Sequence, residues 1–302
     1  MTRGSPAPPP PGRRTRTMGT RNRTRLALGI KLIVATAAAA FALVPVLFVV
    51  SAALNPSNSL IGLGIIPTRM TLDNFESLFT DPLNPFPRWI LNSVVVSGLT
   101  AVIVVTLTSM AAYSFSRFRY RGRRVGLLAL VIIQLFPNML AIVALFLLLQ
   151  AIGNVVPLLG LDSLGGLILV YSGGALGFNT FLMKGYFDTL PRDLDESARV
   201  DGASNTQVFL LVLLPLVRPI LAVVGILSFI ATYSDFLLAR ILLSSTENYT
   251  LAVGLTLFLR EYTTEWGVFG AAALVGAVPI VLTFLILQRQ LIGGLATGGV
   301  KG

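Results

Sequence analysis

Six long apolar runs, near 26–53, 89–116, 125–150, 163–184, 214–240 and 266–288, alternate with shorter polar stretches that hold most of the charged residues. Each run meets or exceeds the roughly 20 residues needed to cross a bilayer core. Backbone groups in hydrocarbon must be satisfied within the chain, so these runs are expected to be helices rather than open sheet. The pattern predicts an all-α polytopic membrane protein with six transmembrane helices over residues 26–302. Residues 1–25, with APPPPG and scattered arginines, have no apolar periodicity and are expected to form a disordered basic arm. The apolar run after the arm is too long for a secretory signal and lacks a small-residue cleavage context, so it reads as a retained first helix.

Charge fixes an expected orientation. Seven arginines lie in 1–25, five in 117–124, four basic residues between Lys184 and Arg218, and two after 288. Arg69, Arg88, Arg240 and Arg260 fall on the opposite side, and Lys31 lies in the first run. Because basic residues stay on the cytoplasmic side, both termini and the loop around Glu196 are expected there. The net charge of +10 is thus mainly topological, and no nucleic-acid partner is expected.

Composition agrees: 54% of residues are apolar and 12% charged, with a mean hydropathy of +0.81, whereas soluble domains carry roughly 25% charged residues. Cysteine and histidine are absent, which removes a disulfide framework and any histidine-based metal or acid–base site. No phosphate loop of the form G-x-x-x-x-G-K-[ST] occurs, so this chain is expected to be no enzyme, and ATP hydrolysis, if used, belongs to another chain.

The polar loop at about 185–215 is the most specific segment. Pro191 is suited to a helix start; Asp193, Asp195 and Glu196 favour the positive end of that helix, and Arg199 the negative end. Gly202 permits the turn that stops it. Ser204 with Gln207 three residues later is a capping-box pattern for a second helix, whose apolar face is expected through Val208, Leu211 and Val212 toward Pro215.

Here the chain resembles the membrane subunits of bacterial ABC importers, whose cytoplasmic signature runs E-A-A, two residues, D-G-A, eight residues, I-x-L-P. This sequence has Glu196-Ser197-Ala198, Asp201-Gly202-Ala203 and Val212-Leu213-Leu214-Pro215, departing only at Ser197 and Val212. Asn92-Ser93 through Ala111-Ala112-Tyr113, the SRFRYRGRR run, YTLAVGL at 249–255 and the terminal GLATGGVKG are similar to carbohydrate-importing permeases of the maltose/maltodextrin kind. The resemblance implies a type I importer permease fold with cytoplasmic coupling helices, in the bacterial cytoplasmic membrane. It also implies a second homologous permease, two cytoplasmic ATPase subunits that use ATP and Mg, and an extracytoplasmic sugar-binding protein. Permeases for other di- and oligosaccharides such as trehalose share many of these motifs. The competing class is an ion-coupled secondary transporter, which calls for matching halves and a central ion site; neither is visible.

The same resemblance implies roles for further residues. Glu196, Ser197, Ala198, Asp201, Gly202, Ala203 and Pro215 would form the ATPase-coupling surface, and Thr297, Gly298 and Gly299, in the cytoplasmic tail 291–302, would touch the ATPase. Phe258, Arg260, Glu261 and Tyr262 would lie in a loop offered to the binding protein. The turn-rich stretch 54–88 is expected to add a platform for that protein. Asn138, Asn179, Tyr233 and Asp235 are candidates for the translocation path or gate. Asp235 is the one acidic residue expected inside a span, roughly 26 Å along the helix from Arg218. Gly173 and Gly177 form G-x-x-x-G in the fourth run, suited to close helix packing in lipid.

Overall fold

The computed structural model describes residues 18–57, 59–67, 69–136, 138–259 and 264–298, with backbone alone for 18–24, 26, 138–139 and 289–298. The chain divides into two units, residues 1–48 and 49–302. Helix α1 (Met18–Ala53) supplies the described part of the first unit and enters the second. It starts inside the arm expected to be unstructured, so residues 18–25 are helical; residues 1–17 lie outside the described residues.

The second unit continues through α2 (Asp73–Thr80), α3 (Phe86–Arg117), α4 (Arg123–Gln134), α5 (Asn138–Gly153) and α6 (Leu164–Thr189). Next come α7 (Asp193–Val200), α8 (Asn205–Gln207), a π-helical turn (Val208–Leu213), α9 (Leu214–Leu216) and α10 (Arg218–Tyr233). After α11 (Leu237–Leu242) and α12 (Leu251–Gly254), α13 (Trp266–Gly298) closes the fold.

Against the six spans that the apolar runs predict, four or five candidate spans and one shorter apolar helix, Leu140–Gly153, stand among the described residues. Four helices are long and apolar enough to cross: Ala27–Ala53, Phe86–Arg117, Leu164–Thr189 and Trp266–Gln288. A fifth crossing arises if Asn205–Leu216 and Arg218–Tyr233, bent by 78°, act together. The run 125–150 is divided into α4 and α5, which are only roughly 18 and 24 Å long. The sequence between them carries Pro137, which has no N–H to continue a helix, and the Leu135 N–H closes a tighter last turn on the Ile132 carbonyl at 3.0 Å. The stretch 54–88 is not a bare connector, since it contains α2, whose buried Asn74 donates to the Ala53 and Asn55 carbonyls.

Helix α3 lies against α6 and α10, and α10 against α13. One apolar cluster gathers around Phe86, Trp89, Leu167, Tyr233 and Phe258, and a second around Tyr113, Met183, Phe187, Phe209 and Leu213. Gly177 is the member of the glycine pair that permits a close approach. A Cβ there would sit 2.9 Å from the Leu130 carbonyl, so the glycine brings α4 onto α6, and Gln134 Nε2 then donates to the Gly174 carbonyl at 2.9 Å. At Gly173 a Cβ would meet nothing.

Between α11 and α12 the chain makes only a short 3-10 turn, Thr246–Asn248, and this segment finds its partners on α3 and on the turn before α6. Trp89 Nε1 donates to the Thr246 carbonyl at 2.8 Å, Asn92 Nδ2 to the Glu247 and Tyr249 carbonyls at 2.9 and 3.0 Å, and Leu251 N–H to Ser93 Oγ at 2.7 Å. Asp162 adds a second clip. Its carboxylate accepts from the Ser244 and Ser245 N–H groups at 2.9 and 3.0 Å and from the Ser245 hydroxyl, while its φ of 54° turns the chain into α6.

Partial burial alone would raise the Asp162 pKa, but the bonds from Ser245 and Ser244 outweigh it and hold the carboxyl below its ordinary value. A depressed folded-state pKa gives stability that is fully present above the ordinary carboxyl value of 3.8 and is lost as pH falls through the lower folded value. Replacing Asp162 with Ala is expected to cost about 1 kcal/mol, a fall of about 2–4 °C in the unfolding midpoint. Thermal unfolding of both proteins at neutral and strongly acid pH checks this: the difference should shrink in acid.

Candidate functional site

The connection from α6 to α10 is built almost wholly from local signals. Asp193, Asp195 and Glu196 occupy the first turn of α7 and Arg199 its last, each complementing the helix dipole. The helix begins at Asp193, two residues after Pro191, with Arg192 at its cap. At the far end Gly202 has φ +86°, and the Ala203 N–H reaches back to the Ala198 carbonyl at 2.9 Å while Gly202 N–H bonds the Arg199 carbonyl at 3.0 Å. This left-handed stop satisfies carbonyls that a helix end leaves orphaned. The capping box then forms in full: Ser204 N–H donates to Gln207 Oε1 at 2.8 Å and Gln207 N–H to Ser204 Oγ at 3.3 Å.

Beyond the box the expected register fails. Val208 and Leu213, five residues apart, are both fully buried and Phe209 nearly so, while Leu211 is 71% exposed. The π-helical turn explains the change, because its i to i+5 bonding places positions five apart on one face. Pro215 lies half-buried in α9, and the chain bends by 78° between Leu216 and Arg218. Neither Pro215 nor Pro219 can donate to the ladder at this bend.

Underneath, the loop is fastened to α3 and α6. Arg117, the last residue of α3, brings Nε to 2.6 Å from Asp195 Oδ2, with the two side chains only 3% and 5% exposed. An Arg117 terminal amino group also donates to the Leu190 carbonyl at 3.1 Å. Ser116 Oγ donates to Asp188 Oδ1 at 2.6 Å, and Lys184 pairs with the other oxygen of that carboxylate. Tyr113 stacks on Phe209 at 4.9 Å between centroids and donates its hydroxyl to the Asn205 carbonyl at 3.1 Å.

Seen from outside, Glu196, Ser197, Asp201 and Gly202 are exposed, Ala198 and Ala203 half-buried, and Val200 is 87% exposed. The seven coupling candidates therefore share one segment, and six of them one turn. Among the described residues Glu196 makes no ion pair. Glu196 and the exposed Val200 lie one helical turn apart on α7. The anchors are not legible as such in the sequence, where Arg117 is one of five clustered arginines and Asp195 one of three acidic residues at a helix start. The alternation of Asp195, Glu196 and Ala198 on an eight-residue helix was the available signal, since Asp195 and Ala198 share a face that Glu196 does not.

The remaining candidates are not gathered with this loop. Phe258, expected on an outer loop, is 4% exposed and packs edge-on against Trp89 at 6.0 Å, so its ring belongs to the core. Arg260, Glu261 and Tyr262 lie outside the described residues, as does Gly299. Thr297 and Gly298 continue the backbone of α13. Asn138 starts α5. Asn179 is buried and bonds the Ala175 carbonyl of its own helix at 2.9 Å, and the Tyr233 hydroxyl donates to the Gly276 carbonyl at 2.8 Å. Asp235 is not inside a helix: it lies in the break after α10, accepts from Tyr171 at 2.7 Å and caps α11 by accepting from the Leu238 and Ala239 N–H groups at 3.1 and 3.4 Å. The break itself requires such an acceptor, because the first N–H groups of α11 have no partner within the helix.

The chain belongs to the family of binding-protein-dependent transport system inner membrane components, whose model matches residues 104–293. It is a transport component rather than an enzyme. Among individual proteins it is 42% identical over 271 residues to the maltose/maltodextrin transport system permease protein MalG of Vibrio parahaemolyticus, covering 86% of this chain and 91% of that one. The protein of the same name from Escherichia coli K12 is 41% identical with the same coverage. In fold the chain is similar to one from a bacterial ABC transporter involved in the import of the acidic polysaccharide alginate, with a TM-score of 0.72 and 24% identity, covering 88% and 96% of the two chains. A chain of the alginate transporter in complex with an alginate pentasaccharide-bound periplasmic protein gives 0.58 at 21% identity, covering 73% and 82%.

Nothing lies within 4 Å of a Cβ built on Gly202, so substitutions there meet a backbone obstacle alone. Gly202→Asn should be tolerated, Gly202→Ala should cost on the order of 1 kcal/mol, and Gly202→Val more. Rates of proteolysis within residues 199–208 should rise in that order. Equal rates for Asn and Val would show that the turn is not held at positive φ.

Proposed function

We propose that this chain is one of two permease subunits of an ATP-driven importer of maltose/maltodextrin-type oligosaccharides. The observation that carries the reading is the exposed, glycine-stopped helix pair from Asp193 to Gln207, fixed to two long apolar helices in a chain of this family. The names of the relatives at 41 and 42% identity support the sugar class. Both termini and the Glu196 loop face the cytoplasm, as the distribution of arginine favours.

In this reading two ATPase subunits bind ATP and Mg, and one of them grips α7 through Glu196, Val200 and Asp201. Closure of the ATPase pair moves α7, and the spans turn from inward-facing to outward-facing as the loaded binding protein docks on the far side. Nucleotide and loaded binding protein drive the change because each binds one of the two states more tightly. A second permease supplies the other half of the path, and the tail at Thr297–Gly299 touches the ATPase. Dependence on a binding protein, the defining property of the family, speaks against an ion-coupled carrier. Trehalose and other disaccharides are the alternative cargo.

Reconstitution with the cognate partners tests this. The chain should retain the ATPase and second permease through purification, and maltose-loaded binding protein should stimulate hydrolysis and uptake in proteoliposomes. Uptake by the chain alone would support a carrier, and stimulation by trehalose but not maltose would change the cargo. Glu196→Lys should weaken ATPase retention strongly and Glu196→Ala mildly, since an exposed pair contributes about 0–1 kcal/mol.

A further inference from the structure

We infer that Arg117 and Asp195 are positioning residues: their buried ion pair makes α7 move as one piece with the end of α3. The inference rests on the reading that α7 is the ATPase-docking helix and adds the element through which its displacement reaches a spanning helix.

Helix α7 has 8 residues, too few to hold a helix or an orientation without tertiary contacts. A turn this short can follow a moving partner only by bending its own connections, unless something stiff ties it to the membrane helices. The Arg117 guanidinium is placed to be that tie, since it reaches Asp195 on α7 and the Leu190 carbonyl just beyond α6 while standing on the last residue of α3. Three elements meet on one planar cation. The load path is short: Glu196, which faces outward, is the residue after Asp195, which faces inward.

The energetics favour positioning over stability. Taking both charges out of water is costly, and an apolar pair of similar volume often holds a fold as well or better. This pair is also incompletely satisfied. Arg117 Nε approaches Asp195 Oδ2 closely without the alignment of a hydrogen bond, and Asp195 Oδ1 has no hydrogen-bond partner among the described residues. A contact that poor as a source of stability still does what an apolar contact cannot: it fixes one distance and one direction between α3 and α7, because both charges would be stranded if either helix slid. Arg119 and Arg121 on the loop that follows, and Arg123 and Arg124 at the start of α4, make no ion pair among the described residues. Position at the foot of α3, not charge alone, distinguishes Arg117.

The test uses the double variant Arg117→Met with Asp195→Leu, which fills the space and strands no charge, and the charge exchange Arg117→Asp with Asp195→Arg. The chain has no cysteine, so Val200→Cys and Met110→Cys can be spin-labelled selectively in the full chain in nanodiscs, without any ATPase. The distance distribution between the labels should be narrow in the parent, broad in the apolar double variant and partly narrowed by the charge exchange. In the reconstituted complex the apolar variant should keep its unfolding midpoint and retain the ATPase, while stimulation of hydrolysis by loaded binding protein falls about tenfold, the scale of a typical coupling between sites. An unchanged distance distribution overturns the inference, as does broadening with full stimulation. A midpoint that falls together with stimulation also overturns it, because the pair would then be structural only. If the parent chain itself fails to retain an ATPase, the docking reading fails first, and the two failures are told apart by that control.

Discussion

Hydrocarbon offers no partner to a backbone N–H or carbonyl, so every interruption of a helix in this protein has to be satisfied by the protein itself. The structure is largely a set of answers to that demand. Where the chain breaks after α10, Asp235 caps the next helix and Tyr171 bonds its carboxylate. Along the short 3-10 turn and bends that lead to α12, Trp89, Asn92 and Ser93 on α3 supply donors and an acceptor, and Asp162, in the turn before α6, accepts two backbone bonds. Trp89, Asn92, Ser93 and Asp235 are polar residues of the apolar runs whose partners are backbone groups outside regular α-helix or at a helix start.

Helix α3 consequently carries two different tasks along its length. One end holds the segment between α11 and α12; the other, through Tyr113 and Arg117, holds the projecting turn around Gly202, while Ser116 bonds Asp188 of α6. Between them Val104 and Thr108 are fully buried, and the Thr108 hydroxyl lies 3.6 Å from the Met183 sulfur of α6. A single helix in contact with both the exposed turn and the far segment is a physical route by which force applied at one face reaches the other, provided its ends are stiffly joined. Stacked aromatics and a buried ion pair at the turn, and a row of short hydrogen bonds at the far end, are the joints.

That arrangement suits the proposed reading, in which a chain without a phosphate loop is moved by an ATPase partner. In that reading the shape and attachment of the exposed turn are what the partner acts on. The π-helical turn contributes here. By rotating Val208 and Leu213 into the core it leaves Leu211 on the outside and sends the chain into the 78° bend that starts α10.

By itself the sequence determined whatever depends on neighbours a few residues apart. Apolar runs of bilayer length set the helical class; Gly202 set a left-handed stop, and Ser204 with Gln207 set a reciprocal cap, because each is closed by bonds spanning three to five residues. The exposed face of α7 was legible for the same reason. Tertiary structure alone decided the features that require partners remote in the chain. Phe258 turns inward onto Trp89, and Asp235 sits at a break bonded to a tyrosine 64 residues away. Arg117 and Asp195 meet across 78 positions of sequence; the pattern of α7 can mark Asp195 as inward-facing, but nothing local names Arg117 as its partner. Periodicity records which face of an element is apolar; it does not record which other element covers that face, and that choice fixes where the buried charges pair.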